Sequence, residues 1–166
     1  MPIASAARGR HAGRVVVSIG PARPDSPEAL ELTSALNEYL SALYPPEENF
    51  LAFADDEVGG ERGVFLVARE GDRAVGCGAV RRLSTSTAEL KRMFVRPEAR
   101  GGGVGKRLLA ELESWSAQAG VSRLVLETGV RQSEAMALYE SLGYHRIPCF
   151  GEYAASRQSL CYEKQL

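Results

Sequence analysis

Between positions 95 and 106 the chain reads Val95-Arg96-Pro97-Glu98-Ala99-Arg100-Gly101-Gly102-Gly103-Val104-Gly105-Lys106. A strand-like apolar stretch precedes this segment and an amphipathic, helix-like one follows, so the glycines collect at a strand-to-helix joint. Glycine takes positive φ without steric cost and lets the backbone approach a ligand closely. The first turn of a helix adds N–H groups without intrahelical partners and the positive end of the helix dipole. Together they make an anion cradle suited to a pyrophosphate. Two other phosphate loops do not fit. A Walker A loop needs GxxxxGK[ST], but Gly101 and Gly105-Lys106 stand too close and Arg107 replaces the hydroxyl residue. The dinucleotide pattern GxGxxG lacks its last glycine at the required offset, an early βαβ setting and an acidic residue at a following strand end. The plain alternative, a glycine-rich turn with no ligand, leaves the entropic cost of three adjacent glycines unexplained.

The elements that must position this joint follow from periodicity. Residues 14–19 (RVVVSI) are a β-branched run and read as a first strand. Asp25-Ser26-Pro27-Glu28 supplies an N-cap, a proline for the first turn and early negative charge, and Leu32, Leu36, Leu40 and Leu43 recur at helical spacing. These predict an amphipathic helix over 27–43, stopped by Pro45-Pro46. Residues 47–63 read as a surface loop. Residues 64–68 and 74–83 read as a hairpin about Glu70-Gly71-Asp72, with a third strand over 88–95. Strict alternation along that strand puts Glu89, Lys91, Met93 and Val95 on one face. Val104, Leu108, Leu109, Leu112 and Trp115 mark a helix ending at Gly120, and 124–127 a short buried strand. Ser133 is expected to cap a helix whose inner face is Ala135, Leu138, Tyr139 and Leu142. Strands over 144–153 and 158–164 close the chain. The order β-α-β-β-β-α-β-α-β-β predicts an α/β (α+β) protein. Its single mixed, mostly antiparallel twisted sheet is flanked by helices, with one parallel pair at the glycine joint.

Composition bounds the function. With 166 residues, a single domain over 14–166 is expected, preceded by a flexible arm over 1–13. Twenty basic and 21 acidic residues leave a net charge of -1, and no basic stripe with interleaved aromatics argues for nucleic acid. No apolar run approaches the ~20 residues of a membrane span, and 1–14 lacks the apolar core of a signal peptide. Cys77, Cys149 and Cys161 lack CxxC spacing, which argues against a disulfide framework or a zinc site and fits a reducing cytoplasm. His11 and His145 stand alone, so no metal is expected. Cys77 and Cys149 read as small buried residues rather than nucleophiles.

Arg100-x-x-Gly103-x-Gly105, preceded by Val95-x-Pro97-Glu98, resembles the [Q/R]xxGx[G/A] acyl-CoA signature of the GNAT N-acetyltransferase superfamily. Residues Ala135-Met136-Ala137-Leu138-Tyr139-Glu140-Ser141-Leu142-Gly143-Tyr144 are similar to its AxxLYExxGF segment, and the element order matches over about 14–165. The closing Ile147-Pro148-x-Phe150-Gly151-x-Tyr153 and Cys161-x-Glu163-Lys164-x-Leu166 look like a bacterial branch of the family.

The resemblance implies an acetyl-CoA-dependent N-acetyltransferase, without a metal, acting on a small-molecule or peptide amine, and a possible homodimer. The alternative is an acyl-CoA-binding sensor that does no chemistry. By the same analogy Met93, Phe94 and Val95 line the pantetheine arm. The amides of Gly101, Gly102, Gly103, Val104, Gly105 and Lys106 hold the pyrophosphate. Arg100 adds charge there, and Lys106 or Arg107 either adds charge or is solvated surface. Gln132 stands where the family often has an Asn that contacts CoA. Tyr139 matches the tyrosine that protonates the leaving thiolate, or is a buried tyrosine on the helix face. Glu89 and Glu127 are the two acceptors for the amine proton, or ion-pair partners of neighbouring arginines. No acyl-enzyme arrangement appears, so direct attack in a ternary complex is expected. Tyr44, Phe53, Phe150 and Tyr153 are expected to contact the acceptor. Glu47, Glu48, Asp55, Asp56 and Glu57 point to a cationic amine or form a solvated loop.

Overall fold

Seven strand segments separated by three helices form one seven-stranded sheet in the computed structural model, which describes residues 16–49 and 55–166. The strands are β1 (Val17–Pro21), β2 (Gly63–Glu70), β3 (Arg73–Arg82), β4 (Thr87–Val95), β5 (Arg123–Gly129), β6 (His145–Ile147) and β7 (Ser159–Gln165), in the order β1-β2-β3-β4-β5-β7-β6. All neighbours are antiparallel except β4 and β5. The helices are α1 (Pro27–Leu43), α2 (Val104–Gln118) and α3 (Ser133–Ser141). No described helix is long and apolar enough to cross a membrane.

Each face of the sheet buries its own helices. Ala29, Leu32 and Leu36 of α1 pack with Phe65, Val67, Cys77, Ala79 and Phe94. Leu108, Leu109 and Leu112 of α2 pack on the opposite face with Val75, Val80, Leu90 and Leu126, and Tyr139 of α3 joins this second cluster. The start of α1 forms as its sequence predicts: Ser26 Oγ accepts from the Ala29 N–H and Pro27 fills the first helical position.

The structure corrects several sequence expectations. The first strand begins at Val17, while residues 14 and 15, like the arm over 1–13, lie outside the described residues. Gln132, not Ser133, is the N-cap of α3, because the Gln132 side chain turns back to accept from the Gly129 N–H at 2.8 Å. The strand expected over 144–153 is only β6, followed by a 3-10 turn at Gly151–Tyr153. Pro148 lacks the N–H that a continuing ladder needs.

The alternation expected along β4 also breaks. Between the pairs Ala79↔Lys91 and Cys77↔Phe94, Gly78 stands against two residues, Arg92 and Met93. This is a bulge, with Arg92 at φ 59. Ala88 and Leu90 face α2, so Glu89 and Lys91 face α1. Beyond the bulge Met93 and Val95 pack with the α2 cluster and Phe94 with the α1 cluster. Met93 and Val95 therefore share no face with Glu89 and Lys91.

Among the described residues the α2–sheet cluster is the larger of the two. Leu109 is fully buried in it. Leu109→Ala is expected to cost about 3 kcal/mol, measurable by urea denaturation at an unchanged slope.

Candidate functional site

The parallel pair β4–β5 ends early. Its register runs from Thr87↔Arg123 to Leu90↔Leu126, after which β4 continues to Val95 and β5 to Gly129 without pairing. The two strands splay apart and leave the backbone edge of Met93, Phe94 and Val95 that faces β5 open. A cleft of about 470 Å³ fills the splay.

The glycine loop forms the far end of this cleft. Gly103 is the N-cap of α2 in the left-handed region (φ 83), and Gly101 has φ 82. A Cβ added at either would strain the backbone but meet no atom within 4 Å, so the loop is open on its outer side. Gly103 has no side chain to cap the helix, whose first backbone bond runs from Arg107 N–H to the Gly103 carbonyl. Among the described residues no acceptor meets the N–H groups of 101–106. They converge at the positive end of a 15-residue helix dipole. A pyrophosphate fits this donor set.

Met93, Phe94, Val95, Arg100, Gly101, Gly103, Val104, Gly105, Lys106 and Gln132 all border the cleft, as does Tyr139; Gly102 does not. Arg100 is fixed at the lip, where its Nε donates to the Val95 carbonyl (2.9 Å) and its guanidinium lies 5.8 Å from the centre of the Tyr39 ring. Sequence reasoning missed Leu36 and Tyr39 of α1, and Ser133 and Glu134 at the start of α3, which also line the cleft. Leu36 was visible only as part of the apolar stripe of α1, which does not tell a cleft wall from core.

Tyr139 sits at the inner end, packed edge-on against Tyr144 with ring centres 5.8 Å apart. Its hydroxyl makes no hydrogen bond to the described residues, and no buried side-chain oxygen among them lacks a partner, so the hydroxyl faces open space. Burial, then the nearby Glu127 charge, pushes its pKa well above the ordinary phenol value, and it stays protonated.

The two carboxylates differ. Glu89 is fully buried; Arg81 holds its Oε2 (3.0 Å to Nε), and the Tyr153 hydroxyl donates to its Oε1 at 2.5 Å. Arg81 also bonds Glu57, and Lys91 Nζ donates to the Tyr153 hydroxyl at 3.2 Å. Glu89 does not border the cleft. Glu127 accepts one bond, from Ser159 Oγ at 2.8 Å. Burial outweighs that bond and raises its pKa to about 7. Glu127 lines a small recess with Tyr44, Glu48 and Gln158, and Gln132 borders both this recess and the cleft. Leu124 and Leu126 pack on the α2 side, so Glu127 projects to the α1 side of β5. Tyr139 packs with the cluster on the opposite, α2 side of the sheet.

Of the residues expected to contact an acceptor, Tyr44 lies over Gly129, where an added Cβ would stand 1.9 Å from its Oη. That hydroxyl accepts from the Arg131 N–H at 3.0 Å. Phe150 packs edge-on against Tyr153 at 5.4 Å. Tyr153 is 2% exposed and bound to Glu89, so it supports the network from below. Phe53 lies outside the described residues. Cys149 and Cys161 form a disulfide, contrary to the expectation from their spacing. The β6–β7 register pairs Ile147 with Cys161 and so brings Cys149 within reach. Cys77 is free, buried and pushed up to about 12 by desolvation, which leaves it inert as a nucleophile.

The profile of the Acetyltransferase (GNAT) family matches residues 29–144. An IAA acetyltransferase of Azospirillum brasilense is 41% identical over 156 residues, covering 90% of this chain and 98% of that protein. The uncharacterized N-acetyltransferase YsnE of Bacillus subtilis is 33% identical over 140 residues, covering 82% of this chain and 93% of its own. The crystal structure of a candidate acyl-CoA N-acyltransferase from Klebsiella pneumoniae matches with a TM-score of 0.79 at 30% identity, over 92% of this chain and 99% of that one.

The buried Glu127 has a measurable signature. Its folded pKa lies above the ordinary 4.5, so the unfolded chain gives up this proton first and stability falls as pH rises from about 4.5 to about 7. Glu127→Gln is expected to remove that fall and to be more stable than the parent at pH 8 by up to about 3 kcal/mol. Denaturant titrations at pH 5 and pH 8 measure it; equal pH dependence in both proteins would refute it.

Proposed function

This chain belongs to the GNAT acetyltransferase family, and we propose that it moves an acetyl group from acetyl-CoA to a primary amine by direct attack in a ternary complex. The observation that carries the proposal is the splay of β4 from β5. It leaves one open strand edge leading into a run of unpartnered N–H groups at a helix start. Those groups match a pantetheine arm and a pyrophosphate in series.

Acetyl-CoA supplies the activated acyl thioester. The amides of 101–106 hold the pyrophosphate, with Arg100 and Lys106 at the rim, and the edge of Met93, Phe94 and Val95 orients the arm. Gln132 stands between this cleft and the acceptor recess. Tyr139 keeps its proton at working pH and donates it to the departing sulfur. Glu127, on the α1 side of the sheet, takes the proton of the incoming ammonium, directly or through water. We assign this role to Glu127 rather than Glu89, whose two oxygens are occupied by Arg81 and Tyr153. Tyr44 walls the acceptor recess, Phe150 packs against Tyr153, and Tyr153 bonds Glu89 and Lys91 beneath it.

Acetyl-CoA is expected to raise the unfolding midpoint by several degrees, and Gly103→Val, whose β-branched side chain cannot adopt φ 83 without strain, is expected to lose that shift. A folded Gly103→Val protein with full acetyl-CoA affinity would remove the loop from the cofactor site. Tyr139→Phe is expected to lower turnover at least tenfold with nearly unchanged acetyl-CoA affinity, as measured by thiol release across an amine panel. Turnover of the parent enzyme is expected to climb through a limb centred near pH 7, as Glu127 deprotonates. That limb is expected to vanish in Glu127→Gln; a surviving limb would assign the base elsewhere.

A further inference from the structure

We propose that Arg92 is a positioning residue for acyl transfer. Its guanidinium ties the left-handed bulge of β4 to α1 and thereby fixes the open edge of Met93, Phe94 and Val95 along the cleft. The proposal rests on the acetyl-transfer reading above.

Arg92 is the one non-glycine residue at positive φ among the described residues (φ 59). An L-residue persists there only when its surroundings over-determine it. Three contacts do so. Arg92 Nη2 donates to the Thr33 carbonyl at 3.1 Å and to Asn37 Oδ1 at 2.6 Å, both on α1. The buried Cys77 thiol of β3 donates to the Arg92 carbonyl at 3.2 Å. The side chain thus reaches α1 while the backbone is held from β3.

The bulge has a counterpart across the ladder. A Cβ on Gly78, the residue opposite, would stand 2.5 Å from Met93 Sδ and 2.8 Å from Leu112 Cδ1. The missing side chain at Gly78 is the space into which Met93 turns after the bulge. With Arg92 in regular extended backbone instead of the bulge, strict alternation would put Met93 and Val95 on the face of Glu89 and Lys91. The open edge would then be rotated away from its observed alignment with the cleft.

The tie also sets the width of the cleft. Leu36 and Tyr39 line it from α1, and Thr33 and Asn37 lie on the same two turns. Apolar packing between α1 and the sheet does not require a half-buried guanidinium, which is costly to desolvate. Its two α1 acceptors offset that cost only in the observed register. One side chain therefore holds strand edge and helix wall together.

The test uses the full chain with Arg92→Ala, Arg92→Gly and Asn37→Leu, each checked for its unfolding midpoint. Hydrogen exchange is followed with and without acetyl-CoA, and kcat and KM with the best amine acceptor. In the parent, acetyl-CoA is expected to protect amides in both 93–95 and 101–106. In Arg92→Ala, protection at 101–106 is expected to remain while that at 93–95 is lost, with kcat down at least tenfold and acetyl-CoA affinity within threefold. Asn37→Leu is expected to move the same way by a smaller factor. Arg92→Gly, which adopts positive φ freely, is expected to recover at least threefold in kcat over Arg92→Ala. Full protection of both segments in Arg92→Ala, or losses in the Ala and Gly variants that are equal and follow only the melting temperature, would overturn the positioning role. Protection of neither segment in the parent would instead refute the acetyl-CoA reading and this proposal with it.

Discussion

Parallel strands β4 and β5 share a ladder only as far as Leu90 and Leu126, and most of what is distinctive in the molecule answers to that early separation. A strand that leaves its neighbour inside a sheet exposes N–H and C=O groups at a depth where unpaired backbone is costly. Three features meet that demand without closing the gap. β3 continues to pair with β4 on the far side. The Arg100 guanidinium covers the Val95 carbonyl. The rest of the edge faces an open cleft. The glycine loop follows directly from the end of β4, so the open strand edge and the helix start form one continuous wall.

Charge is distributed around the same opening. Glu89, Lys91 and Glu127 sit on the α1 side of adjacent strands near the point of divergence. Glu89 is held by Arg81 and Tyr153, and Lys91 bonds the Tyr153 hydroxyl. Among the described residues Glu127 accepts a bond only from the Ser159 hydroxyl. A buried carboxylate with one neutral donor is poorly compensated, and its pKa rises toward neutrality. Two glutamates on neighbouring strands thus acquire different surroundings from hydrogen-bond supply. One is tied into a buried network with Arg81 and Tyr153, and the other is a group able to exchange a proton near pH 7.

The segment between β6 and β7 supports this arrangement from outside the sheet. The Cys149–Cys161 disulfide fastens it to β7. Tyr153 reaches down to Glu89 and Lys91, and Ser156 donates to Glu48 at 2.8 Å. Cys161 is the register partner of Glu127, so the fastening point lies beside the carboxylate proposed as base. The wall of the Glu127 recess and the groups beneath it are therefore mechanically connected.

The amino-acid sequence determined the element order, the helix over 27–43, the parallel pair and the glycine-rich start of α2. Each depends on local periodicity, capping or backbone permissiveness, which act over a few neighbouring residues. The same locality explains why the resemblance carried by the loop and by the segment around Tyr139 extended to the whole fold. Tertiary structure decided the rest. Alternation could not reveal the bulge at Arg92, because what sustains its backbone comes from Thr33 and Asn37 on α1 and from Cys77 on β3. Spacing could not pair Cys149 with Cys161, because the pairing depends on the β6–β7 register. Nor could residue type separate Glu89 from Glu127, since their difference lies in which donors Arg81, Tyr153 and Ser159 deliver across distances of 8 to 64 residues in the chain.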